Sequence, residues 1–282
     1  MKLIAYISVL LLTVATVWPQ TRKTIFIITD AEGVAGICRQ DQVEPQNPEL
    51  RQLLTGEVNA AVEGFLAGGA DEVIVWDGHD GSQTLSLTTL DSRAKLVQGG
   101  LPAGMTLERG YAAIAFVGQH SLAGVQAGIM AHSYSSLGIQ NMRLNGKPVG
   151  EIETRAALAG WYNIPVIFLS GDQAAARELL QIVPEAETAV VKEGLGRHTC
   201  LSLPAKAARD LIRDDAARAM QKLNQIRPYR IDGPVTIEYE YTTRNSLPSD
   251  ARLRPGAQVI DDRTIRYQGK DFLEAWTRSQ VR

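Results

Sequence analysis

Two short apolar runs separated by one helix-length segment decide most of the architecture. Thr24–Thr29 (TIFIIT) is β-branched and aromatic and ends at Asp30, the pattern of a buried strand. Asn47-Pro48 then supplies a helix start, with Asn as cap and Pro at the first helical position. Leu50, Leu53, Leu54, Val58, Ala61, Val62, Phe65 and Leu66 follow at helical spacing until Gly68-Gly69 closes the helix. Glu72–Trp76 (EVIVW) is a second apolar strand. Strand, helix and strand of these lengths form a βαβ unit, which implies a parallel sheet with helices packed on it.

The same signals continue along the chain. Strands are expected over 94–97, 112–117 and 164–169, and Asn145-Gly146 joins 142–144 to 147–149 as a two-residue hairpin. Helices are expected from about 151 to 162, from Gln173 to Ile182 with Asp172 as cap, from near Pro204, and from about 270 to 280. Residues 235–241 alternate as a strand. The fold class that follows is α/β, a mostly parallel central sheet flanked by helices with a C-terminal α+β elaboration. Residues 21–282 read as one α/β domain, with 200–282 a candidate C-terminal subdomain. No Pro/Ser-rich linker and no internal repeat divides the chain.

Residues 1–20 stand apart. Lys2 is the sole charge before Arg22, and an apolar run from Leu3 to Trp18 follows it. A positive start and a run too short to span a bilayer comfortably read as a secretory signal peptide, with an uncleaved N-terminal anchor as the alternative. An exported protein, periplasmic or extracellular, is expected, with no stable membrane span after cleavage. Charge is nearly balanced, 29 Lys+Arg against 31 Asp+Glu, and no basic stripe appears, so nucleic acid is not an expected partner. Two cysteines, Cys38 and Cys200, do not make a disulfide framework, and the sequence leaves open whether they pair. The His198-Thr199-Cys200 run is weak evidence for metal and reads as surface or structural.

Polar groups that directly follow apolar strands carry the chemistry. They are Asp30-Ala31-Glu32-Gly33, Asp77-Gly78-His79-Asp80-Gly81 and Gly118-Gln119-His120. Open α/β sheets bind ligands at the carboxyl ends of their strands, so parallel neighbours would bring these side chains to one cleft. Asp30 and Glu32 would point the same way if the strand ran through both, and two close carboxylates favour a divalent cation. Asp77 or Asp80 is placed to orient the His79 imidazole. Each residue alone has an ordinary explanation: a turn cap for Asp30, a structural His79 or His120, a dipole-favoured Glu151 in a first helical turn. His132 follows no clear strand and fits core, ligand or proton carrier. Taken together, three carboxylates and two or three histidines make a mixed N and O donor set of the kind zinc takes. Five protein ligands are too many for one catalytic zinc and suit two ions sharing a carboxylate. No HExxH helix, P-loop or G-x-S-x-G elbow is present.

These motifs resemble the D-aminopeptidase family of the dipeptide-transport type, a family of di-zinc peptidases. The resemblance rests on D-A-E-G at 30–33, D-G-H at 77–79, G-Q-H at 118–120, A-H-S at 131–133 and N-G-K-P-V-G-E at 145–151, with G-K-D-F-L-E-A at 269–275. It runs in order from about Thr24 to about Trp276. It implies Asp30 as the carboxylate bridging two Zn2+ ions, Glu32 and His79 completing one, and His120 and Glu151 completing the other. It implies His132 as the catalytic histidine and a homo-oligomer, a ring-like decamer in the family. The expected activity is metal-assisted hydrolysis of an N-terminal peptide or amide bond of a short peptide or amino-acid amide, with D-residue preference resting on the resemblance alone. The competing readings are a di-metal hydrolase of another ester or amide, a periplasmic binding protein without catalysis, and a degenerate structural relative.

Overall fold

The computed structural model describes residues 22–244 and 247–280, so the signal-peptide reading of 1–20 lies outside the described residues. β1 (Thr24–Thr29) passes through α1 (Pro48–Ala67) to β2 (Glu72–Trp76), which pairs parallel with β1. The helix starts where its local chemistry dictates: the Asn47 side chain accepts from the main-chain N–H of Glu49 and of Leu50, and Pro48 occupies the first turn. β3 (Ala94–Val97), β4 (Ala113–Gln119), β7 (Val166–Asp172), β8 (Glu187–Gly196) and β9 (Thr199–Ser202) complete a seven-stranded sheet of order β3-β2-β1-β4-β7-β8-β9. Its first six strands are parallel, and β9 closes the edge as an antiparallel hairpin partner of β8. β1, β4 and β7 are buried at every residue, as strands covered on both faces must be. α1 packs along α4 (Ala205–Lys222), and α2 (Glu151–Trp161) packs on α3 (Gln173–Ile182) and α5 (Phe272–Ser279).

A second, antiparallel sheet has the order β11-β12-β10-β5-β6, built from β5 (Ile139–Leu144), β6 (Lys147–Pro148), β10 (Val235–Tyr241), β11 (Ala257–Val259) and β12 (Thr264–Gly269). The β5–β6 turn is the Asn145-Gly146 pair, at φ 49° and φ 80° respectively, the left-handed pair that a two-residue hairpin requires. This sheet is therefore not confined to the C-terminal part. Its β5–β6 hairpin comes from mid-chain, between β4 and α2, and pairs with β10 across about a hundred residues through contacts such as Met142 opposite Tyr239. Among the described residues, no helix is long and apolar enough to cross a membrane.

Candidate metal centre

β2, β1 and β4 are neighbours in that order and all run parallel, so their carboxyl ends lie side by side. Asp30 follows β1, His79 follows β2 and His120 follows β4. Glu151 opens α2, just after the β5–β6 hairpin, where the helix dipole favours a carboxylate. The structure brings Asp30, Glu32, His79, His120 and Glu151 together, each no more than 6% exposed, with His132 beside them.

Asp30 and Glu32 converge by a different route from the one the alternation suggests. β1 stops at Thr29, and 30–33 form a turn because the main chain leaves the ladder to pair with the end of β4. The Asp30 N–H donates to the Val117 carbonyl at 2.9 Å and the Gly33 N–H to the Gly118 carbonyl at 2.8 Å. Only glycine permits this approach: a Cβ on Gly33 would lie 2.2 Å from the Gln119 oxygen, and one on Gly118, at φ +77°, 2.2 Å from the Asp30 oxygen.

The two oxygens of Asp30 face different histidines. Oδ1 is 3.0 Å from His79 Nδ1, and Oδ2 is 3.4 Å from His120 Nε2. Around the first half lies Glu32, its Oε2 3.4 Å from His79 Nδ1. Around the second lies Glu151, its Oε1 3.5 Å from His120 Nε2 and 4.0 Å from His132 Nε2. The His120 and His132 rings stack with centroids 4.0 Å apart. Donor atoms of Asp30, Glu32 and His120 all lie within 4.8 Å of one another, as do those of His120, His132 and Glu151.

Each imidazole is fixed through its other nitrogen. His79 Nε2 meets the Val43 carbonyl at 2.9 Å, His120 Nδ1 the Ser121 carbonyl at 2.9 Å, and His132 Nδ1 the Met130 carbonyl at 2.9 Å. With an N–H donated to each carbonyl, the neutral form of each ring presents His79 Nδ1, His120 Nε2 and His132 Nε2 toward the carboxylates as lone pairs, the form that a metal requires. The expectation that Asp77 or Asp80 orients His79 is therefore corrected. Asp77 turns away to accept from the Thr84 and Leu85 main chain at 3.1 Å each, and Asp80 is exposed with its oxygen 3.7 Å from the ring.

Electrostatics state the same need. Burial pushes the Asp30 carboxyl up, but the His79 hydrogen bond and the charges of His120, His79 and Arg155 outweigh it and hold Asp30 well below the carboxylate range. Burial pushes His79 down, but Glu32 charge and hydrogen bonds to Asp30 and Glu32 lift it to about 12. Burial likewise opposes protonation of His120, and the Glu151 hydrogen bond with the charges of Asp30, Glu151 and Glu32 raises it to about 10. Three buried carboxylates thus draw positive charge onto two imidazoles that a metal would require neutral. Glu32 Oε2 and His120 Nε2, both buried, make no well-formed hydrogen bond, their nearest polar neighbours being His79 Nδ1 at 3.4 Å for the first and Asp30 and Glu151 at 3.4 and 3.5 Å for the second. Orphaned acceptor atoms aimed into a carboxylate-rich centre fit a bound divalent cation.

Several supporting residues escape sequence reasoning. Gln119 Nε2 donates to Asp30 Oδ2 at 2.9 Å, and Arg155 pairs with Glu151 Oε2 at 2.8 Å. Arg155 lies one helical turn from Glu151, so i,i+4 spacing was the available signal. Lys192 on β8 donates its ammonium to the carbonyls of Glu32, Val34 and Ile37, tying down the 30–37 segment, and nothing local in sequence marks it. Asp172 caps α3 and also accepts from the Ile129 N–H at 2.9 Å, anchoring the His132 loop. Cys38 and Cys200 form a disulfide with Cα atoms 5.9 Å apart, so Cys200 is not a metal ligand, and His198 sits exposed in the β8–β9 turn.

Residues 24–281 match the family described as D-aminopeptidase, the whole span over which these side chains are assembled. The chain belongs to the D-aminopeptidase family. A D-aminopeptidase of Bacillus subtilis (strain 168) is 31% identical over 261 residues, covering 89% of this chain and 93% of that protein. The solved structure of the Zn-dependent D-aminopeptidase DppA from Bacillus subtilis, described as a self-compartmentalizing protease, superposes with a TM-score of 0.82 at 26% identity. That likeness covers 91% of this chain and 95% of the DppA chain, so the likeness in fold extends over both sheets.

Proposed function

We propose that this D-aminopeptidase family member is a zinc-dependent aminopeptidase with two zinc sites that share Asp30. The observation that carries the proposal is the split of the Asp30 carboxylate, Oδ1 toward His79 and Oδ2 toward His120. Glu32 and His79 complete one ligand set, His120 and Glu151 the other. Bound zinc supplies polarisation of the scissile carbonyl and acidification of a bound water. His132 is the proton carrier: Met130 holds its Nδ1–H, its Nε2 is left free, and it is the most exposed ring of the cluster, with its side chain 11% exposed. Arg155 and Gln119 hold Glu151 and Asp30 in place from behind.

The substrate class is a short peptide or amino-acid amide with a free N-terminus, cleaved after its first residue. Preference for D-residues, a link to dipeptide uptake and assembly as a homo-oligomer, a decamer above all, rest on the likeness to the relatives. Export belongs to the same reading, with residues 1–20 as signal peptide and residues 21–282 as the working unit. The Cys38–Cys200 disulfide supports an oxidising compartment.

The test is hydrolysis of D- and L-alanyl dipeptides and amides by zinc-loaded protein, beside His132→Ala. Release of the N-terminal residue by the parent, lost in His132→Ala while metal content holds, is the expected result. Phosphoester turnover without peptide turnover would overturn it, and loss of metal in His132→Ala would make His132 a ligand instead.

A further inference from the structure

A cavity of about 520 Å³ opens between the carboxyl ends of β2 and β3 and helix α5. Three aromatic residues, Trp76, Tyr134 and Trp276, form its walls, with Leu101, Met105 and Arg155 between them. The indole N–H of Trp76 donates to the Gly99 carbonyl at 3.0 Å, and that of Trp276 to the Ala103 carbonyl at 2.8 Å. Both indoles are therefore anchored through their edges. Tyr134 and Trp276 ring centroids lie 5.9 Å apart. The Arg155 guanidinium is held between two rings, 5.6 Å from Trp76 and 5.7 Å from Tyr134. Its charge is already met by Glu151 at 2.8 Å, so the cavity asks for no anion.

The inner wall of this cavity is the outer wall of the metal centre. Arg155 touches Glu151 on one side and lines the cavity on the other. The Tyr134 main-chain N–H donates to Glu151 Oε1 at 3.1 Å while its ring faces the cavity, and His132 is two residues away. The volume lies within the range of ligand pockets and exceeds what one aromatic side chain needs. Preformed aromatic walls with satisfied polar groups bind apolar rings at low ordering cost.

We infer that this cavity is the subsite for a large apolar or aromatic side chain of the peptide substrate, an inference that rests on the aminopeptidase reading. Thr277, exposed at the cavity rim, is the place to block it. In Thr277→Phe, the ratio of kcat/KM for Phe-Ala or Ala-Phe to that for Ala-Ala, each in the stereoisomer cleaved, falls at least about tenfold, the scale on which apolar pockets discriminate. A ratio within twofold of the parent for both peptides overturns the inference. The binding arm is independent of turnover. Phenylalanine amide added to metal-free parent protein should perturb the fluorescence of Trp76 and Trp276, and Thr277→Phe should abolish the response. If no peptide is cleaved but this response holds, the aminopeptidase reading fails and the ligand site stands; if no response occurs in the parent, the subsite is refuted.

Discussion

Replacing Lys192 with Met tests whether the Asp30–Glu32 segment is held by an internal cation. Lys192 is 2% exposed, and its three N–H groups meet three main-chain carbonyls, those of Glu32, Val34 and Ile37. Charge-assisted bonds of this kind contribute about 1.5–3 kcal/mol each, so the gross loss for three is about 4.5–9 kcal/mol. An opposing term must be subtracted. Burial lowers the Lys192 ammonium from 10.5 to about 8, with Asp172, Glu57 and Glu32 opposing the drop. That drop corresponds to about 3 kcal/mol of charge-burial cost, which Met would relieve. A net destabilisation on the order of 3 kcal/mol remains, and a melting temperature lower by about 6–12 °C for a domain of this size. Freeing the Glu32 carbonyl loosens a proposed zinc ligand, so zinc affinity should fall about 10–100-fold, as with other outer-shell changes. Calorimetry with and without zinc, beside a zinc titration, measures both. A melting temperature within about 1 °C of the parent with unchanged zinc affinity would refute the reasoning.

Three further outcomes follow from the structure. At pH 7.5 the metal-free protein holds protons on His79, raised to about 12, and on His120, raised to about 10. Zinc uptake should therefore release about two protons per chain, measurable by calorimetry in buffers of different ionisation enthalpy, and release of none would contradict the charge balance. The sign for stability is fixed by the upward shifts: stability contributed by protonated His120 is fully present below pH 6.5 and lost as pH rises through about 10. Melting of metal-free protein should fall across that window, while the zinc-loaded form should not follow it. Cys38→Ser opens a disulfide with a sequence separation of 162. On chain-entropy grounds the loss is about 5 kcal/mol, and denaturant unfolding that shows no difference would mean the bond does not form in the folded protein.

The parts of the fold written in local chemistry were legible in the sequence, and those written in distant pairing were not. β1, α1 and β2 follow from a β-branched run, an Asn-Pro cap and a Gly-Gly stop, all within reach of one another. The hairpin at Asn145-Gly146 and the Asp172 cap were equally local. The antiparallel sheet was not, because its centre pairs β5 with β10 from opposite halves of the chain. The candidate site was legible as a set because neighbouring parallel strands deliver Asp30, His79 and His120 to one edge. Its orientation was not: the turn after Thr29, the Val43 carbonyl behind His79 and the Lys192 clamp depend on segments that meet only in the folded chain.

The most direct test is metal content. Purified protein and an Asp30→Ala variant are compared by elemental analysis after exhaustive dialysis. Because the two proposed ligand sets share the Asp30 carboxylate, the account predicts about two zinc per chain in the parent and loss of both in the variant. One zinc or none in the parent, or a variant that keeps its full metal content, would contradict it.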